Sequence, residues 1–114
     1  MAAVNAKIAG GFGAVLVLTG ISGFLPIPGP MSNAAAYNVF HIVFGLIGIG
    51  CWLSKKPAAT RGFNVGFGLI DLYQAAAHWL GLFPIAHFRW TRADDALHVA
   101  IGIALVLAGI LWDD

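Results

Sequence analysis

Apolar residues fall into four long runs, separated by short stretches of proline, glycine and charge. The first run spans Ile8 to Leu25 and follows Lys7. Pro26-Ile-Pro28-Gly-Pro30 closes it, because proline lacks the amide donor and fixes φ. The second run covers about 35–53 and meets the polar stop Ser54-Lys55-Lys56-Pro57; the third, about 62–82, opens after Arg61 and breaks before Pro84; the fourth, about 94–112, ends at Asp113-Asp114. Each approaches the roughly 20 residues that cross a bilayer as a helix. The expected fold is therefore all-α, a four-helix transmembrane bundle forming a single membrane domain over residues 1–114. Lys7, the first run and Ala34-Ala35-Ala36 imitate a secretory signal. The run outlasts the roughly 7 to 15 apolar residues of a signal core, so a membrane helix is expected instead.

The second and fourth runs share a pattern. Asn38-x-x-His41-x-x-x-Gly45 returns as Asp95-x-x-His98-x-x-x-Gly102, an offset of 57 (41 to 98). Spacings of three and seven put all three residues on one helical face. The first and third runs match too, Gly11-Phe12-Gly13 against Gly66-Phe67-Gly68, at an offset of 55 (11 to 66). Two repeated helical hairpins follow, in the same orientation and related by an axis along the membrane normal.

The polar residues inside these runs are the candidates for chemistry. Asp71, Gln74 and His78 form one stripe at i, i+3 and i+7. Asp71 falls near the bilayer midplane, where a carboxylate costs at least about 2.5 kcal/mol, so it should face the bundle interior. Its reading divides between a proton or ion site and a packing group held by Thr19, Ser22 or Tyr73. At about 1.5 Å per residue, His41, His98 and His78 all lie roughly 5 to 9 Å to the same side of their runs' centres, with His87 in the loop above. Such a layer suits a bis-histidine haem held by His41 and His98, a chlorophyll-type pigment on one histidine facing an apolar cleft or a neighbouring protein, or a metal with Asp95 or His78 added. The competing reading is structural: Asn38 and Asp95 as N-caps, the histidines as polar clasps, and the glycines as packing notches. Gly62-x-x-x-Gly66, Gly10-x-x-x-Ala14 and Ala104-x-x-x-Ala108 are further notches for helices inside the bundle or in a partner.

Composition sharpens this picture. The 114 residues are 60% hydrophobic and 10% charged, where soluble domains carry about 25% charge. A net charge of +1 without a basic patch argues against nucleic acid as a partner. Cys51 is alone and reads as a small packing residue, because burial in lipid disfavours the thiolate. Lys7, Lys55, Lys56 and Arg61 lie on one side and Arg89 and Arg92 on the other, which orients both termini to the cytoplasm. Trp52, Trp79, Trp90 and Trp112 fall near run ends, as an interfacial belt would place them. Nucleotide-binding loops, serine-nucleophile motifs and zinc-protease motifs are missing from the sequence.

Asn38, His41 and Gly45, followed by Asp94, Asp95, Leu97 and His98, resemble a family of small bacterial four-helix membrane proteins classed as a domain of unknown function. That family carries N-x-x-H-x-x-x-G in its second helix and D-N-x-L-H opening its fourth. Asp95 stands where it usually has asparagine, which makes this site more acidic. The resemblance implies four helices and no known activity, so it leaves function open. The expected function is a non-enzymatic accessory subunit, packed with bound lipid against a larger photosynthetic or respiratory membrane complex. The alternatives are a carrier of haem or a chlorophyll-type pigment on His41 and His98, and a proton or small-solute protein using Asp71, Gln74 and His78.

Overall fold

The computed structural model describes residues 3–114, and all regular structure among them is helical. Five helices follow in order: α1 (Val4–Gly23), α2 (Ala35–Leu53), α3 (Pro57–Leu80), α4 (Ile85–Phe88) and α5 (Arg92–Leu111). Three of them, α1, α2 and α5, are long and apolar enough to cross a membrane. The molecule measures 40 × 28 × 19 Å, and its long axis is close to the roughly 40 Å of a bilayer with its headgroups.

The boundaries depart from the sequence expectation for local reasons. Helix α3 begins at Pro57, five residues before the expected start. Proline is tolerated in a first helical turn, where its missing donor has no intrahelical use, so Lys55-Lys56-Pro57 opens a helix rather than stopping one. Gly81 ends α3 in the left-handed region at φ 68°, which glycine adopts without a Cβ penalty. The short α4 was not expected, and neither was the early start of α1 at Val4.

Helix α3 is the longest, at 24 residues, yet it is not among the three apolar enough to span. Its inward face explains this. Thr60, Asn64, Phe67, Asp71 and Gln74 are all buried, at alternating spacings of four and three that continue to the half-buried His78. This is the stripe that a helix presents to its neighbours along its full length.

Two close approaches set the helix pairing. A Cβ at Gly45 would lie 2.6 Å from the Gly13 carbonyl oxygen, and one at Gly13 would lie 2.7 Å from that of Gly45. A Cβ at Gly68 would lie 2.8 Å from the Gly102 oxygen, with 2.9 Å for the reverse. Thus α1 touches α2, and α3 touches α5, backbone to backbone. Small residues permit this, and packing then replaces the hydrophobic drive that lipid does not supply. Between the pairs, Leu16, Leu105 and a set of phenylalanines fill the middle. Phe63 stacks on Phe67 at 5.6 Å between centroids, and Phe44 leans on Phe67 at 5.3 Å.

The outer surface is apolar: Leu18, Leu46, Leu53, Trp79, Ile110 and Leu111 are among its exposed residues. Trp52, Trp79 and Trp112 are exposed near helix ends, but Trp90 is only 5% exposed and belongs to the core with Tyr37 and Ala77. The expected belt therefore loses Trp90, whose indole has a buried hydrogen-bond partner. Cys51 is half-buried and packs against the phenylalanine core.

Gly45→Leu should lower stability by about 1–3 kcal/mol, the cost of overpacking a filled contact. Gly11→Leu, on an open face with nothing within 4 Å, should stay within about 0.5 kcal/mol of the parent. Denaturation of both variants in neutral detergent checks this.

Candidate functional site

The polar groups gather at the end of the molecule where residues 24–34 meet residues 81–91. Asp94 is fully buried there. It is the third residue of a capping box: the Thr91 hydroxyl accepts from the Asp94 amide at 3.2 Å, and Asp94 Oδ2 accepts from the Thr91 amide at 2.8 Å. The Ser32 amide, in the α1–α2 loop, also donates to Oδ2 at 2.9 Å. The Thr91 hydroxyl lies 2.8 Å from the Pro30 carbonyl oxygen, and Ser32 donates its hydroxyl to the Phe88 carbonyl. One carboxylate thus joins the start of α5 to the loop of the other helix pair.

Tyr37, fully buried on α2, completes the centre. Its hydroxyl donates to Asp94 Oδ1 at 3.0 Å and lies 2.7 Å from His98 Nε2. With its proton given to the carboxylate, the hydroxyl accepts from His98 Nε2–H, leaving Nδ1 as a bare acceptor. Nδ1 of His98 is indeed buried without a partner, and so is Nδ1 of His41. Tyr37 stands beside both imidazoles, its ring centroid 4.1 Å from that of His41 and 6.0 Å from that of His98.

Two further polar groups lie nearby. His78 Nδ1 meets Asp95 Oδ2 at 2.7 Å and Oδ1 at 2.9 Å, clasping α3 to α5. Gln74 donates to Asp71 Oδ1 at 3.2 Å and accepts from Trp90 Nε1 at 2.9 Å. The expected stripe is therefore divided: Gln74 joins Asp71 to Trp90, while His78 engages Asp95. Asp71 does not use Thr19, Ser22 or Tyr73. The Ser22 hydroxyl donates to the Thr19 carbonyl, and the Tyr73 hydroxyl to that of Phe83. His87 sits exposed in α4, 6.0 Å from the Phe83 ring.

The expected capping roles are corrected. Asn38 lies one turn inside α2, whose N-cap is Ala34, and its amide reaches back to the Asn33 carbonyl at 3.1 Å. Asp95 lies inside α5, where Thr91 is the cap. Sequence reasoning also passed over a polar clasp at the opposite end. There Asn5 donates to the Trp112 carbonyl at 2.9 Å, and Asn64 donates to Asn5 Oδ1 at 2.9 Å.

The arrangement bears on each proposed cofactor. A bis-histidine haem does not fit His41 and His98, because Tyr37 crowds both rings and its hydroxyl occupies His98 Nε2. His41 borders a cleft of about 520 Å³ between the end of α1 and the start of α2, and His98 is not in its lining. Hydroxyl, amide and guanidinium groups make up much of that wall, including Ser22, Ser32, Asn38, Arg89 and Thr91. Ile27, Met31 and the prolines at 28 and 30 make the remainder of the wall apolar, so the cleft is of mixed character. Among the described residues, no three His, Cys, Asp or Glu side chains converge to hold a metal ion.

These features define the class as an all-helical protein with three helices fit to cross a membrane and a polar network buried toward one end. No family model, no curated protein and no solved structure matches the chain.

Tyr37→Phe removes the hydroxyl that bridges Asp94 and His98, leaving both groups buried and short of a partner. Stability should fall by about 1–3 kcal/mol. Tyr73→Phe, at an exposed hydroxyl, should cost less than half as much in the same detergent unfolding experiment.

Proposed function

We propose that the protein is a multi-pass integral membrane protein, a four-helix transmembrane bundle of two repeated hairpins, serving as a non-enzymatic accessory subunit against a larger membrane complex. The repeat is supported by the two glycine contacts, since Gly13 and Gly68 are 55 residues apart and Gly45 and Gly102 are 57 apart. A fourth span by α3 is supported by its length and by the burial of its polar stripe, which removes those groups from lipid. The excess of Lys and Arg around residues 7 and 55–61 favours a cytoplasmic location for that end. The resemblance points to a bacterial membrane.

The observation that carries the accessory reading is the state of the α3 notch. Gly62 and Gly66 lie on the exposed face of α3 with nothing within 4 Å of either position. The glycines facing inward are consumed by α1–α2 and α3–α5 contacts, whereas this pair is unoccupied and shaped to receive a partner helix. A transport role has less support. Asp71 is tied to Gln74, and the phenylalanine layer around Phe67 separates it from the Asn5–Asn64 clasp. One carboxylate above an aromatic plug gives no polar route between the two ends.

The paired substitution Gly62→Leu and Gly66→Leu should abolish co-purification of a stoichiometric membrane partner from native membranes, with the thermal stability of the isolated subunit unchanged. Gly11→Leu should retain the partner. Equal recovery with the α3 variant, or parent protein that purifies alone, contradicts the accessory role.

A further inference from the structure

The two helix pairs differ at one matched position, and the difference opens a site. In the second pair, His78 of α3 meets Asp95 of α5. The matching residues in the first pair are Gly23 and Asn38, displaced by 55 and 57 residues. Gly23 supplies no imidazole, and a Cβ there would lie only 2.0 Å from Asn38 Oδ1, so the Asn38 amide lies directly against it. Beside that contact lies the cleft of about 520 Å³ bordered by Gly23, Asn38 and His41.

The chemistry of the cleft is biased toward an anion. Not one of its lining residues is acidic, because Asn38 stands where the second pair has Asp95. Asp94, which is bonded to the lining residues Ser32 and Thr91, is already bound by their amides and by Tyr37. Arg89 contributes an exposed guanidinium that has no carboxylate partner among the described residues. Its backbone sits at φ 50°, in the left-handed region. His41 is only 5% exposed, yet its side chain borders the cleft. Ile27 and Met31 add apolar wall next to these donors. The cleft lies at the helix ends, the level at which lipid headgroups meet the acyl region.

We propose that this cleft binds a phosphate group, with Arg89 as its charged partner and His41 and Asn38 as donors from the buried wall. A phosphodiester offers acceptor oxygens to both the guanidinium and the imidazole. Free phosphate and the headgroup of an anionic lipid share this chemistry. The site does not depend on any partner complex, so it stands or falls separately from the accessory role.

Calorimetric titration of the full-length protein in maltoside micelles tests it, with dihexanoyl-phosphatidylglycerol, dihexanoyl-phosphatidylcholine and inorganic phosphate as separate probes. Saturable binding of phosphatidylglycerol, weakened at least tenfold by Arg89→Gln and by His41→Phe, is the expected result. Arg89 is exposed, so Arg89→Gln keeps the fold and serves as the decisive variant. Binding of phosphatidylglycerol but not of inorganic phosphate assigns the site to a lipid headgroup, and equal binding of both assigns it to free phosphate. Saturable binding of phosphatidylcholine alone, no saturable binding of any probe, or an Arg89→Gln variant indistinguishable from the parent overturns the proposal.

Discussion

A charge-bearing group that cannot reach water must be enclosed by donors from the protein itself, and Asp94 is the residue around which this molecule meets that demand. Its carboxylate has no exposure and collects hydrogen bonds from Thr91, Ser32 and Tyr37. These donors come from three separate parts of the chain. Satisfying one buried anion therefore requires the α1–α2 loop, the second helix and the start of the fifth to meet at one point. Losing any donor exposes the remainder to the desolvation penalty, which exceeds what a surface hydrogen bond contributes. The network specifies which end of each helix pair sits beside which.

The same logic runs down the molecule. Asn5, Asn64 and Thr60 at one end, and Asp71, Gln74 and His98 nearer the other, are all buried, while leucine, isoleucine and tryptophan cover the outside. Apolar bulk gives little direction when the surroundings are also apolar. Specificity then passes to glycine contacts that set distance and to polar contacts that set register. Phe63, Phe67 and Phe44 fill the volume between them.

Much of the architecture was legible in the sequence, because helix length and apolar runs are local properties. The second run matched α2 at both ends, and the glycines at 13, 45, 68 and 102 turned up as the close contacts that small residues suggest. The candidate site was legible in part. Asn38, His41, Asp71, Gln74, His78, Asp95 and His98 do face inward, but their pairing depends on neighbours that no periodicity reveals. Tyr37 was overlooked because an aromatic residue in an apolar run looks like packing, although it lies four residues before His41 on the same face. Thr91-x-x-Asp94 is a readable capping signal, but the repeat points to Asp95, which matches Asn38. Trp90 looked interfacial by position and proved to be a buried donor to Gln74.

The central claim is that four helices, including the polar α3, cross the membrane as two like-oriented hairpins. Cysteine accessibility measures this directly on a Cys51→Ala background, using Gly29→Cys, His87→Cys, Ser54→Cys and Asp113→Cys singly with a membrane-impermeant maleimide. The account predicts that positions 29 and 87 label from one face of sealed vesicles and positions 54 and 113 from the other. Labelling of 54 and 87 from the same face would mean that α3 does not cross, and would contradict it.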